Sequence, residues 1–329
     1  MKILALSKPG KMERYITDPD FYQRFEITVI PFDADDDAIL AACPDADIIV
    51  ADAISKIGAK AISGMPNLKM IHSEGVAYNG FDLAAAKEHG VYVCNCKAMN
   101  ATAVAEQAIF LMLACLRGGV TGDAAVREGR QMDVKMNHMV AGDLKEIADC
   151  KIGFIGFGDI AKATAKYASM MGAEIYYYKR SRLSPEEEKE YQATYLSKEE
   201  LLSISDIVTL HAPVTEQTKH MVNKAFLNQM KEGAYLINTA RGELVDSKDL
   251  LESLASGHLA GAGLDCLENE PVALDNEMLQ ADSATAEKIV YSPHVGGITA
   301  SSFVRGYKMV YEDIMLVADG KEPKRIVNL

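Results

Sequence analysis

One stretch near the middle of the chain restricts the fold more than any other. It reads Gly153-Phe154-Ile155-Gly156-Phe157-Gly158-Asp159-Ile160-Ala161. The apolar run Ile152–Ile155 has the pattern of a buried strand, and a helical pattern opens at Asp159. A Gly-x-Gly-x-x-Ala spacing between strand and helix serves a dinucleotide. Gly156 permits the tight turn, Gly158 lets the backbone approach a pyrophosphate, and Ala161 keeps helix against strand. Backbone N–H groups at the helix start, those of Asp159 and Ile160 included, then face the phosphates.

The rest of the chain fits the same architecture. Short apolar runs alternate with longer amphipathic stretches, as in α/β folds. Strands are expected at Ile3–Leu6, Ile27–Ile30, Ile48–Val50, Leu68–Ile71 and Val91–Val93, with a helix at Asp82–Glu88. A long apolar helix follows from Asn100 to Leu116, then a mixed polar stretch to about Ala148. A second series of strands is expected at Ile152–Ile155, Glu174–Tyr178, Ile207–Leu210, Ala234–Ile237, Gly261–Leu264 and Ile289–Tyr291. Six strands complete a dinucleotide-binding sheet. A final helix is expected from about Ser301 to Val317.

Length and charge narrow the partners. A chain of 329 residues has room for two domains. Its net charge of -13 repels phosphate backbones and anionic lipid, so neither nucleic acid nor a membrane is an expected partner. The apolar stretch Ala101–Leu116 is interrupted by Glu106 and Gln107 and is too short to span a bilayer. The N-terminal run stops at Lys8-Pro9-Gly10-Lys11 before a secretory signal forms, which points to the cytoplasm. The six cysteines show no zinc-ligand spacing, and no metal is expected.

Cofactor choice is read about 20 residues beyond the glycine loop, where an Asp or Glu would bind the ribose 2′-hydroxyl of NAD. Here Lys179, Arg180, Ser181 and Arg182 follow Tyr178, with no carboxylate. Cations suit a 2′-phosphate, so NADP is favoured over NAD. Ligands in open α/β sheets lie beyond the carboxyl ends of the strands. The polar residues there are Arg241 in Asn238-Thr239-Ala240-Arg241-Gly242, Asp265, Glu268 and Glu270, and His294 in Ser292-Pro293-His294-Val295-Gly296-Gly297. A guanidinium can hold a carboxylate and polarise a neighbouring carbonyl. A histidine can pass a proton to the carbonyl oxygen as hydride arrives, and a carboxylate beside it orients the ring.

These blocks, together with His211-Ala212-Pro213, resemble the D-isomer-specific 2-hydroxyacid dehydrogenase family in order and spacing over almost the whole chain. The resemblance implies two doubly wound parallel-sheet domains. A Rossmann cofactor domain, residues 101–297, would be inserted in a discontinuous flavodoxin-like substrate domain, residues 1–100 and 298–329. It implies an NAD(P)-dependent oxidoreductase interconverting a small 2-oxo acid and its D-2-hydroxy acid, and a homodimer. Arg241 would bind substrate, Glu270 would pair with His294, and His294 would be the acid/base. Asp265 would contact the nicotinamide carboxamide. His211, Ala212 and Pro213, with Thr239 and Ala240, would border the cofactor, and Val104 on the long helix would lie near the nicotinamide. Glu74, Gly75, Val76 and Ala77 would form the loop whose N–H groups grip the substrate carboxylate. Glu74 is unusual there, and its side chain either points away or meets a polar or cationic substrate tail. Two other readings remain open at this point. One is a nucleotide-sensing, corepressor-like binding protein. The other is a phosphoglycerate dehydrogenase, for which the cations expected near Ser73 and Asp52 are missing.

Overall fold

The computed structural model describes residues 1–328. Short runs of Ile, Val, Leu and Tyr form twelve parallel strands in two sheets. The first sheet contains β1 (Lys2–Leu6), β2 (Glu26–Ile30), β3 (Ile48–Ala51), β4 (Met70–Ser73) and β5 (Tyr92–Cys94), in the order β2-β1-β3-β4-β5. Both faces are covered, as parallel sheets require. Alternate residues serve opposite faces. Leu4, Leu6, Ile49, Ala51, Ile71 and Val93 enter one core, whereas Ile3, Ile48, Val50 and Met70 enter another. The second core is completed by Tyr307, Val310, Ile314 and Val317 of the helix Ala300–Ala318.

The second sheet contains β6 (Lys151–Ile155), β7 (Glu174–Tyr178), β8 (Ala193–Tyr195), β9 (Ile207–Leu210), β10 (Ala234–Asn238), β11 (Leu259–Leu264) and β12 (Ile289–Tyr291). Its order is β12-β11-β10-β9-β6-β7-β8, so the winding reverses between β6 and β9. The helix Ala101–Leu116 buries Ala108, Leu111, Met112 and Leu116 against one face. Contacts divide the chain into two units, one of Met1–Asn100 with the chain from Ile298 onward, the other of Ala101–Gly297.

Two elements depart from the sequence expectation. The second sheet has seven strands rather than six. The addition, β8, is three residues long and sits at the sheet edge after Gln192 in a left-handed conformation. The stretch expected to be mixed and polar up to Ala148 carries two helices, Gly119–Arg127 and Gln131–Ala141. Among the described residues no single helix is long and apolar enough to cross a membrane.

Candidate active site

The glycine loop follows β6 at the reversal point of the second sheet, where this topology places ligands. Gly156 has φ +88°, and a Cβ there would lie 2.5 Å from the His211 carbonyl oxygen. Any side chain would therefore separate the β6 loop from the β9 loop. Gly158 caps the helix Asp159–Met170, and no heavy atom lies within 4 Å of where its Cβ would be. No side chain caps that helix, so the first-turn N–H groups of Asp159 and Ile160 remain as donors. Ala161 is fully buried. Beyond β10, the buried Thr239 hydroxyl has no hydrogen-bond partner. An open glycine cradle, an uncapped helix start and an orphaned hydroxyl together fit a dinucleotide.

His211, Ala212 and Pro213 follow β9 beside this loop, and the His211 N–H donates to the Ile155 carbonyl at 2.8 Å. The His211 ring stacks on Phe154 at 5.4 Å, and its Nε2 meets Thr209 Oγ1 at 3.0 Å. Loss of hydration pushes the imidazole down to about 3, so it stands neutral beside the cofactor loop. Val104 is buried near the start of the helix Ala101–Leu116.

After β7 the cations divide. Lys179 and Arg180 remain at the strand end, with Ser181 exposed beyond them. Arg182 turns away and donates to both oxygens of Glu188, at 2.7 and 2.8 Å, with its guanidinium over Tyr195. Hydrogen bonds from Arg182 and Tyr177 hold the Glu188 carboxyl at about 2. The expected three-cation cluster is therefore reduced to two, because a bidentate carboxylate satisfies the third.

The expected partners His294 and Glu270 meet beyond β11 and β12. His294 Nδ1 lies 2.5 Å from Glu270 Oε2, and Glu270 Oε1 accepts the Leu267 N–H at 2.9 Å. Arg241 follows β10 in extended backbone, and one of its N–H groups donates to the Ala240 carbonyl at 2.7 Å. The turn before it is shaped by Asn238, whose amide oxygen accepts the Ala240 N–H while its NH₂ donates to the Arg241 carbonyl. Gly242 is needed next, because a Cβ there would lie 2.0 Å from the Leu267 carbonyl carbon. That close approach joins the Arg241 turn to the segment leading to Glu270.

Two carboxylates of the expected site residues are turned inward, and for Glu74 this is the first of the two alternatives. Asp265, expected at the nicotinamide carboxamide, is buried with its carboxylate turned to its own loop. Oδ1 accepts from Ser292 Oγ and the Val295 N–H, and Oδ2 from the Gly296 N–H at 2.9 Å. Three of its roughly four acceptor positions are thereby filled. In the first unit, Glu74 does not reach outward. Its carboxylate is buried on Lys11, Tyr307 and Ser7, and its N–H is taken by the Ala51 carbonyl. Burial pushes this carboxyl up, against the pull of Lys11. The Gly75 N–H is used by Ser73 Oγ, so the donors left in this loop are those of Val76 and Ala77. Asn238, Gln107 and Ser292 were not marked as site residues in the sequence. Only Asn238 had a local sign, an Asn three residues before Arg241 in a position suited to an Asx turn.

Comparison with known proteins agrees with this geometry. The profile of the D-isomer specific 2-hydroxyacid dehydrogenase, NAD binding domain, matches residues 109–296. Glyoxylate reductase from Thermococcus litoralis is 34% identical over 291 residues, covering 88% of this chain and 86% of its own. Hydroxypyruvate reductase from Thermotoga maritima is 31% identical over 277 residues, covering 84% of this chain and 86% of its own. Among solved structures, the NAD-complexed D-isomer specific 2-hydroxyacid dehydrogenase from Lactobacillus delbrueckii ssp. bulgaricus superposes with a TM-score of 0.81 at 26% identity, over 99% of this chain and 100% of that one. With a glycine loop at the sheet reversal, a paired histidine and carboxylate, and likeness over most of its length, the chain belongs to the D-isomer-specific 2-hydroxyacid dehydrogenase family and binds NAD(P).

Proposed function

We propose that this enzyme interconverts a small 2-oxo acid and its D-2-hydroxy acid, with NADP(H) as preferred cofactor and His294 as acid and base. The observation that carries this reading is the 2.5 Å contact between His294 Nδ1 and Glu270 Oε2. The carboxylate keeps a proton on Nδ1, which leaves Nε2 for the substrate. When bound, the nicotinamide supplies or receives hydride at the substrate C2. In reduction, His294 Nε2–H gives its proton to the carbonyl oxygen while Nδ1–H stays on Glu270. In oxidation, Nε2 takes the hydroxyl proton and Glu270 stabilises the imidazolium that forms. Hydride and proton together account for the two hydrogens added across the carbonyl. Arg241 holds the substrate carboxylate and polarises the carbonyl, for which its remaining N–H donors are available. In the first unit, the N–H groups of Val76 and Ala77 are donors for a substrate carboxylate.

The NADP preference rests on Lys179 and Arg180 standing where a ribose-binding carboxylate would repel a phosphate. The relatives named glyoxylate reductase and hydroxypyruvate reductase make small 2-oxo acids the first class to try. A homodimer is supported by the helix Gln131–Ala141, which buries no residue and exposes Met132, Met136, Met139 and Val140.

The test follows NADPH and NADH oxidation at the nicotinamide absorbance with glyoxylate, hydroxypyruvate, pyruvate and bulkier 2-oxo acids. His294→Ala is expected to cut turnover by roughly 10²–10⁴-fold with cofactor binding retained. Wild-type turnover in that variant would remove His294 from the chemistry.

A further inference from the structure

His294 stands at φ +54°, a left-handed conformation that is unfavourable for a residue with a side chain. Such a backbone persists where its surroundings over-determine it. Its own N–H reaches only back to the Ser292 carbonyl, at 3.0 Å. The next two N–H groups, of Val295 and Gly296, both end on the Asp265 carboxylate, at 3.1 and 2.9 Å. Asp265 in turn hangs on the sheet, its N–H donating to the Asn238 carbonyl at 2.9 Å. What keeps the carboxylate from rotating is a third donor, Ser292 Oγ–H, bound to Oδ1. The same hydroxyl oxygen accepts from Gln107 Nε2 at 2.8 Å. Gln107 belongs to the helix Ala101–Leu116, which is anchored in the core through Ala108, Leu111 and Met112.

We propose that Gln107 and Ser292 are positioning residues for His294, acting through the Asp265 carboxylate. The proposal rests on the reading of His294 as the acid/base. Every donor in the array points toward one carboxylate, from Gln107 to Ser292 to Asp265 and from Val295 and Gly296 to Asp265. Aligned hydrogen bonds of this kind polarise one another and hold a single geometry. The array references the His294 backbone to two rigid bodies, the end of β11 and the long helix, while Glu270 alone sets the ring. Neither the Gln107 nor the Ser292 side chain touches the imidazole, and Ser292 meets His294 only through its backbone carbonyl, which substitution keeps, so removing these side chains changes where the imidazole sits without changing what it is. Displacements of about 1 Å at a reacting group can cost on the order of 10²-fold.

The experiment compares Ser292→Ala, Ser292→Thr and Gln107→Leu with His294→Ala, in the full-length enzyme with its best 2-oxo acid. It measures kcat, KM, the pH dependence of kcat, cofactor Kd and thermal midpoint. Ser292→Ala is expected to lower kcat roughly 10- to 100-fold and displace the kcat–pH profile, with cofactor Kd unchanged. Ser292→Thr keeps the hydroxyl and is expected to restore most of the loss. Gln107→Leu is expected to show a smaller loss that adds little in the Ser292→Ala background, as for members of one network. The proposal is overturned if Ser292→Ala and Gln107→Leu keep wild-type kcat and pH profile while His294→Ala is inactive, whatever their thermal midpoints. An active His294→Ala overturns it differently, by removing the reading beneath it. Should Ser292→Ala fail to fold, Gln107→Leu carries the same comparison.

Discussion

Glu74 belongs to the loop expected to hold a substrate carboxylate, yet its own carboxylate is committed inward to Lys11, Tyr307 and Ser7. A buried ion pair that loses one partner leaves the other charge unpaired, at a cost of about 3–5 kcal/mol. Glu74→Ala is therefore expected to lower the urea midpoint by a corresponding amount. A change below about 1 kcal/mol would mean that Lys11 finds water instead. A second expectation concerns the cations after β7. Replacing Lys179 and Arg180 together by Ala should move the kcat/KM ratio of NADPH to NADH toward NADH by about 10- to 100-fold, the worth of one or two charge-assisted hydrogen bonds. An unchanged ratio would place the 2′-phosphate elsewhere. The placement of Arg241, Glu270 and His294 beyond β10, β11 and β12 was legible in the sequence, because each follows an apolar run. The partners of Glu74 were not, because Lys11 and Tyr307 are 63 and 233 positions away. Nor was the loss of Arg182 to Glu188, since a cation beside a glycine-loop strand looks the same whether or not a carboxylate six residues on has claimed it.

Eleven of the strands announce themselves by apolar runs, with ends within two residues of those expected, because most are largely buried; the edge strand β2, only half-buried, still carries Ile27, Val29 and Ile30. β8 does not: Ala193-Thr194-Tyr195 is too short to show a period and is made a strand by pairing with β7. The helices Gly119–Arg127 and Gln131–Ala141 were obscured for the opposite reason. Between them they bury only Ala125 and leave Val120, Val126, Met132, Met136, Met139 and Val140 exposed, so no buried face sets a clean pattern. Met132, Met136, Met139 and Val140 lie at helical spacing on an exposed surface, the arrangement expected where a second copy packs. Met136→Glu with Met139→Glu should therefore yield a monomer in sedimentation velocity at micromolar concentration. A wild-type sedimentation coefficient in the double variant would move the dimer contact to another face.

Across the whole molecule, the first unit depends on residues from both ends of the chain. Asp313 on the last helix is fully buried and meets His72 of β4 at 3.2 Å, Arg325 at 3.0 Å and the Lys324 N–H at 2.8 Å. Burial alone would raise its carboxyl, but hydrogen bonds from His72, the Lys324 N–H and Arg325 outweigh that and hold it below the usual range. A carboxyl depressed in the folded state contributes stability that is present above the ordinary Asp pKa, about 3.9, and is lost as pH falls through the lower folded value. Asp313→Asn should therefore be less stable than wild type in denaturant at pH 7, with the gap narrowing as pH drops below about 4. A gap independent of pH would assign the effect to packing. The division of the chain has a further consequence, during synthesis. Met1–Asn100 leaves the ribosome before the inserted unit, but Tyr307, Val310 and Ile314, which complete the core around Ile3 and Met70, are made after it. At about 5–20 residues per second, the roughly 200 residues between them take about 10–40 s. Through that interval the inserted unit has all its strands and can fold, while the first sheet waits with one apolar face covered only in part, by Met12, Ile16, Phe21 and Phe25. The unit that is begun before the inserted one is thus finished after it, and its exposure to chaperones and proteases is set by the length of the unit inserted into it.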